Sequence, residues 1–157
     1  MKALTIHQPW ATLIALGEKR FETRGWATKY RGPIAIHAAK KVDKDACDME
    51  PIRSVLAKHG YTADNLPTGA VVATAQLTGS YMIYDTIDNG IHIVRCPNDE
   101  YDFTKVEFIW RPESVFGHFA AGRFAWEMTN VKQIDPVPAV GRQGLWNWGG
   151  ERDGYSN

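Results

Sequence analysis

The sequence has few of the residues that build disulfide frameworks, zinc sites or membrane spans. Its 157 residues include two cysteines, Cys47 and Cys96, far apart and without a histidine at a ligand spacing, so neither a disulfide scaffold nor a zinc site is indicated. The longest apolar run near the start, WATLIAL, has seven residues, too few to cross a bilayer. Nothing there resembles a signal peptide, and we expect a cytoplasmic protein.

Motifs for the common cofactor and nucleophile chemistries are also missing. The five histidines show no HxxxH or HxH spacing, and the serines lie outside any GxSxG turn. No glycine cluster matches a phosphate-binding or dinucleotide-binding loop. Carboxylates next to Cys47 disfavour its thiolate form and make it a poor nucleophile. We therefore expect no metal and no cofactor.

The charge is zero overall but unevenly distributed. Residues 1–60 carry 11 Lys and Arg against 6 Asp and Glu, whereas residues 61–157 carry 7 against 12. A net charge of zero argues against a broad basic face for duplex DNA. If the asymmetry matters, an anionic partner is expected to meet the N-terminal third. The role of the acidic stretch 85–107 stays open on the sequence alone.

The spacing of apolar residues predicts one α+β domain. A strand (KALTIHQ) precedes a short helix that starts at Pro9 and is capped by Gly17. A second helical segment follows Asp43 and is split by Pro51. AVVATAQL and GRFAWEM are further strands, and MIYD, IHIVR and VEFIW are candidates for shorter ones. We expect five or six strands and two or three helices in a curved or barrel-like mixed sheet.

The stretch GEKRFETRGW, residues 17–26, is the strongest candidate site. Its period of two places Glu22, Arg24 and Trp26 on one side of a strand. One interpretation is a solvated strand whose charges pair with each other, worth less than about 1 kcal/mol. The other is a pocket, because cations, an aromatic ring and a carboxylate together suit the phosphate, the face and the edge of an unpaired nucleotide. Trp10 is either a core residue or part of such a pocket.

Several motifs, in order along nearly the whole chain, resemble the signature of the ASCH domain family, which is related to PUA-like RNA-binding domains. They are the QPWA helix start, the G-x-K-x-x-E-x-R-x-W pattern of residues 17–26, RGPIAIHAAK, PTGAVVATAQL, and GRFAWEM with GRQGLWNW. Residues 80–118 match no part of that signature. The resemblance implies a small mixed PUA-like β-barrel with two or three helices at its mouth. We expect a single domain over residues 1–148 and a flexible tail over 149–157.

The resemblance also implies a ligand. Family members are associated with RNA or modified nucleotides, so we expect single-stranded RNA, a nucleotide or a nucleoside as partner and no membrane. The expected cleft is lined by residues matching the motif, joined by one helix residue: Lys19, Glu22, Arg24, Trp26, Lys40 and Trp10. The lysines would neutralise phosphate, Trp26 would stack on a base, and Glu22, oriented by Arg24, would accept from an exocyclic amine.

An enzyme that uses the same cleft is the alternative. Small bacterial relatives in the family remove the acetyl group of N4-acetylcytidine with a lysine, a threonine three residues later and a glutamate. Lys19 matches that lysine, but Glu22 occupies the threonine position and Thr23 comes one residue later. If the chain is an enzyme, an amidohydrolase or a single-strand ribonuclease, we expect Lys19 and Glu22 to be catalytic. A protein-interaction adaptor is the third hypothesis.

Overall fold

The computed structural model describes residues 1–87, 90–95 and 104–150. In chain order, the elements are β1 (Lys2–Gln8), α1 (Trp10–Ala15), β2 (Phe21–Arg24), β3 (Gly32–Val42), α2 (Lys44–Asp48), α3 (Ile52–Lys58), β4 (Ala70–Ile87), β5 (Gly90–Arg95), β6 (Val106–Trp110), a 3-10 helix (Glu113–Val115), β7 (Phe124–Pro138) and β8 (Leu145–Asn147).

The strands form one mixed sheet. Its order is β2-β7-β4-β3-β1-β8, with β5 paired to β4 and β6 paired to β5. The α+β class is confirmed, but the described residues contain eight strands rather than the five or six expected. Among these residues the sheet does not close on itself, so the predicted barrel is not confirmed. The extra strands come largely from β5 and β6, in the segment that matched no family motif.

The chain divides into two compact units, each with its own core. The first unit comprises Met1–Glu18, Pro33–Gln76 and the residues from Asn130 onwards. The second comprises Lys19–Gly32 and Leu77–Thr129. The predicted boundaries of a single domain at 1–148 and a tail at 149–157 stay predictions. Residues 151–157, Cys96 and four acids of the 85–107 stretch (Asp88, Asp99, Glu100 and Asp102) lie outside the described residues.

The first unit is built around β1. This strand pairs in parallel with β3 and antiparallel with β8. Adjacent residues of a strand point to opposite faces, and both Ala3 and Leu4 of β1 and both Ala35 and Ile36 of β3 are buried, so both faces of these strands are packed. The core here combines Ala3, Ala35 and Val71 with two of the C-terminal tryptophans, Trp146 and Trp148.

The helices of the first unit begin where the sequence predicts. Asp43 caps α2, its side chain accepting from the backbone N–H of Ala46 at 3.0 Å. Pro51 separates α2 from α3, which confirms the predicted split. The helix α1 ends before Gly17, whose φ of 76° is the left-handed value that glycine adopts without strain. Every residue of α1 after Trp10 is buried.

The second unit combines a strand pair with a three-stranded meander. β2 runs antiparallel to β7, and β4, β5 and β6 form successive antiparallel pairs. Side chains that alternate along the strands, together with Phe21 and Phe119, make its core. The buried members are Phe21, Tyr81, Ile83, Ile91, Ile93, Ile109, Phe119 and Ala125. This core thus includes Phe21 of the motif segment and residues from each strand of the meander.

Candidate functional site

The motif segment from Lys19 to Trp26 is buried to a degree that the sequence does not suggest. Lys19, Glu22 and Thr23 are all buried, with Lys19 at 0% exposure and the other two at 8%. Both faces of β2 are therefore covered, and the interpretation of this segment as a solvated strand is wrong. Charged side chains inside a protein require partners, which the second unit supplies.

The ammonium group of Lys19 is held by the loop that follows the 3-10 helix. Its Nζ donates to the backbone carbonyl of Phe116 at 2.5 Å and lies 5.6 Å from the centroid of the Phe119 ring. Burial lowers the pKa of Lys19, and the negative charges of Glu22 and Glu113 oppose that change. The lysine therefore interacts with groups of the protein and presents no ammonium to solvent.

Glu113 is a site residue that sequence reasoning missed. Its carboxylate accepts from the backbone N–H groups of Arg20 (2.9 and 3.1 Å) and Phe21 (2.9 Å), which fixes the start of β2. Burial raises the pKa of Glu113, while the charge of Lys19 and the two backbone donors lower it. Glu113 lies 92 residues beyond Phe21 in sequence, and no spacing pattern links the two.

Glu22 and Arg24 form the ion pair that their alternation suggested. One carboxylate oxygen of Glu22 accepts from Arg24 Nη2 at 3.2 Å. The other accepts from the backbone N–H of Thr23 at 2.9 Å. These contacts leave Glu22 with one orientation, and the Arg24 side chain keeps 24% of its surface exposed. An oriented carboxylate beside a partly exposed guanidinium can act on a polar ligand as acceptor and donor.

The side chains of Thr23 and Lys19 both lie close to Gly117. Thr23 Oγ1 accepts from the backbone N–H of His118 at 3.2 Å. A Cβ on Gly117 would lie 2.9 Å from Lys19 Nζ and 3.4 Å from Thr23 Oγ1, so both polar atoms approach this glycine closely. Any side chain at position 117 would press against the ammonium group. The hydroxyl and the amine thus share one small region of the second unit.

Trp26 differs from the residues before it because its ring reaches the surface. It is 43% exposed. Its ring centroid lies 4.6 Å from that of the buried Trp126, with the planes at 89°. Trp126 also donates from its indole nitrogen to the Trp26 carbonyl at 3.1 Å. The edge-to-face contact and the hydrogen bond fix the segment at Trp26, so the exposed part of its indole is held in place.

Lys40 and Trp10, the remaining predicted ligand residues, belong to the first unit. Lys40 is exposed at the end of β3, and its side-chain carbons run along Gly69. Trp10 is half-buried at the first position of α1. That these two residues bind the same ligand as Lys19, Glu22, Arg24 and Trp26 stays a prediction.

The first unit contains a separate open cavity of about 370 Å³. α1, the start of β4 and the second half of β7 contribute to its wall together with the loop before β4. Its lining residues are Thr12, Ala15, Tyr61, Pro67, Val72, Gln133, Ile134, Asp135 and Pro136. None of the residues predicted to bind a ligand lines it.

Metal sites and membrane-spanning helices are both absent from the described ranges. Over 1–87, 90–95 and 104–150, no group of three or more His, Cys, Asp or Glu side chains is placed to hold a metal ion. Within the same ranges, the helices are all too short or too polar to span a bilayer.

Comparisons with known proteins identify the family. Activating signal cointegrator 1 from Homo sapiens is 50% identical to this chain over 38 residues, which are 24% of this chain and 6% of the relative. The protein of the same name from Mus musculus matches to the same extent. This chain therefore aligns with only a small part of either relative. The family model described as the ASCH domain matches residues 4–138. Since that match covers most of the sequence, the chain belongs to the ASCH domain family.

Proposed function

We propose that this ASCH domain binds single-stranded RNA or a nucleotide through the segment from Lys19 to Trp26. The observation that carries the proposal is the partly exposed indole of Trp26, which is fixed edge-on against Trp126. A rigid ring stacks on a base with little loss of side-chain freedom, and base–aromatic stacking contributes about 1–3 kcal/mol per base. The ASCH family is itself consistent with RNA binding.

The polar residues of the segment take different roles according to their burial. Glu22, oriented by Arg24, accepts from the exocyclic amine of a base, and the exposed part of Arg24 contacts phosphate or a carbonyl. Lys19, whose ammonium bonds to the Phe116 carbonyl, acts indirectly by holding the loop and the carboxylates in position. Lys40 and Trp10 belong to the first unit, and their predicted contact with the ligand rests on the sequence alone.

The test is binding of a fluorescein-labelled single-stranded RNA, measured by anisotropy, for the wild type and for variants of Trp26 and Lys40. Trp26→Leu keeps an apolar side chain but removes the ring, and we expect about tenfold weaker binding. Lys40→Gln is expected to weaken binding by a smaller factor. The matched control is Met49→Ala, since Met49 is exposed in the first unit and belongs to no predicted site. Unchanged affinity for Trp26→Leu would refute the proposed stacking.

A hydrolase is the second candidate, favoured by one arrangement. Lys19 has a lowered pKa and approaches Gly117 together with the Thr23 hydroxyl, near the carboxylates of Glu22 and Glu113. An amine with a lowered pKa is a better base or nucleophile at neutral pH. In this candidate Lys19 and Glu22 are catalytic, and the substrate is an acylated nucleoside or single-stranded RNA.

Incubation with N4-acetylcytidine and with labelled RNA separates the candidates. Loss of turnover in Lys19→Arg and in Thr23→Val would establish the hydrolase, provided that circular dichroism shows that both variants keep the fold. Saturable RNA binding without turnover would establish the binding module. A protein that shows neither RNA binding nor turnover would favour the protein-interaction adaptor.

A further inference from the structure

The meander of β4, β5 and β6 presents a row of aromatic rings on its outer face. Tyr84 and His92 have ring centroids 5.5 Å apart, and Tyr84 Oη lies 3.1 Å from His92 Nδ1. His92 is perpendicular to Phe108 at 4.5 Å. Phe108 and Trp110 are stacked at 5.7 Å with 23° between their planes. The four rings, here called the aromatic row, are in continuous contact across three strands.

The aromatic row is exposed although its opposite face is buried. Tyr84, Phe108 and Trp110 expose 40%, 45% and 52% of their surfaces. On the strands β5 and β6, alternate residues such as Ile91 and Ile109 point into the core and are almost fully buried. The pattern of period two therefore assigns aliphatic side chains to the core and aromatic ones to the surface. Exposed contiguous apolar surface of this kind marks an interaction site.

The backbone beneath the row accommodates the largest ring. Trp110 is paired with Gly90 on β5. A Cβ at position 90 would lie 3.0 Å from Trp110 Cε3 and 3.2 Å from Cζ3, so the indole lies directly over the glycine. The absence of a side chain at Gly90 lets the ring lie close to the strand. Trp110 thereby presents an exposed surface beside Phe108.

Two cations lie beside β6, in a part of the chain whose sequence from 85 to 107 is acidic overall. Lys105 and Arg111 are exposed and directly precede and follow β6. Arg95 pairs with Glu107 at 3.3 Å, so these two charges compensate each other. Asp85 is opposite His92 in the β4–β5 register and binds its neighbouring backbone N–H. Cations thus flank the strand that carries two of the rings, and Asp85 is the nearby carboxylate opposite His92.

We propose that the aromatic row is a stacking platform for single-stranded RNA, separate from the Trp26 contact. Bases lie on the exposed faces of Trp110 and Phe108, whose planes are 23° apart, while the perpendicular His92 ring borders Phe108. The sugar-phosphate backbone passes Lys105 and Arg111. Aromatic side chains on a sheet face stack on bases of any sequence, because each base has a π-face. This inference deepens the proposed RNA binding and takes the class of ligand from it. It assigns a role to the 80–118 segment that the family motifs leave without one.

Substitution by leucine distinguishes stacking from simple hydrophobic docking. Phe108→Leu and Trp110→Leu retain an apolar side chain, which is sufficient for hydrophobic docking of a partner protein. They remove the ring face that a base requires for stacking. The probe is a fluorescein-labelled oligoadenylate of about 12 nucleotides, within the span of known single-strand sites. We expect about tenfold weaker binding for Trp110→Leu and a larger loss for the double variant. Val140→Ala, at an exposed residue of the first unit, is the control.

The outcomes separate this platform from the Trp26 contact. Binding weakened by Trp110→Leu but not by Trp26→Leu would support the platform and refute the proposed cleft. Binding weakened by Trp26→Leu alone would refute the platform and leave the cleft intact. If the wild-type chain fails to bind the probe, both proposals fail. If Trp110→Leu binds normally while Trp110→Asp abolishes self-association measured by light scattering, the row is a protein interface and the platform is refuted.

Discussion

Two regions of the second unit reverse the usual distribution of side chains. In the 19–24 segment with Glu113, the charged residues Lys19, Glu22 and Glu113 are buried. On the outer face of β4–β6, aromatic rings are exposed. Folding alone favours the opposite placement, with rings inside and charges in water. The buried charges are compensated by hydrogen bonds within the protein, whereas the rings contact chiefly one another. The first region is therefore organised by the fold itself, and the second leaves aromatic surface exposed to solvent.

The largest effect on stability is expected at the buried charge. Lys19→Met keeps much of the side-chain volume but removes the ammonium group, which leaves the Phe116 carbonyl and two carboxylates without their cation. Loss of one partner from a buried ionic group costs about 3–5 kcal/mol. Urea denaturation measures the change, and Lys41→Met at an exposed position of β3 is the control. A loss below about 1 kcal/mol would show that Lys19 is not needed for stability.

A smaller loss is expected for Glu113→Gln. An amide oxygen in the place of Oε1 can still accept from the backbone N–H groups of both Arg20 and Phe21, but the negative charge beside Lys19 is lost. Hydrogen bonds to a charged group contribute about 1.5–3 kcal/mol against about 0.5–1.5 kcal/mol for neutral ones, so we expect a loss of about 1–2 kcal/mol. A double-mutant cycle with Lys19→Met measures the coupling between the two residues. Strict additivity would mean that the two charges do not interact.

Tyr81 provides a pH-dependent test on the covered side of the meander. Burial raises its pKa from 10.0 to about 12, helped by the negative charge of Glu127. Between these values the unfolded chain ionises this phenol while the folded chain does not, so the free energy of unfolding falls as pH rises. We expect Tyr81→Phe to lessen that fall in urea titrations across the alkaline range. Identical pH profiles for the variant and the wild type would contradict the raised pKa.

The smallest effect on stability is expected at the exposed rings. Trp110→Thr retains strand propensity and removes a ring that is half in water already. Its stacking on Phe108 is worth about 0.5–1.5 kcal/mol, so we expect a loss of about 1 kcal/mol or less. Thermal denaturation of the unliganded protein measures it. A loss as large as that of Lys19→Met would remove the contrast between the two regions.

Local features of the fold were predictable because their causes are local. Alternation and β-branched residues indicated β1, β4 and β7, and Asp43 and Pro51 marked the ends of helices. Trp126, on the strand that GRFAWEM indicated, is buried. The open sheet was not predictable, because closure depends on the pairing of strands distant in sequence.

In the candidate site, too, the features with local causes were predictable and those with distant causes were not. The motif drew attention to Lys19, Glu22, Arg24 and Trp26, and the Glu22–Arg24 ion pair followed from their spacing. The burial of Lys19 did not follow from the sequence, because it depends on Phe116 and Glu113, which are more than 90 residues away. The aromatic row was also missed. Its rings come from three strands, and only the register between those strands brings them into contact.

The hold of the Phe116 carbonyl on Lys19 has a consequence for chemical reactivity. A side chain with no solvent exposure cannot meet an acylating reagent until the loop around Gly117 moves away. The rate of Lys19 acetylation, measured by mass spectrometry and compared with the rates of the exposed lysines, would therefore report how often that loop opens.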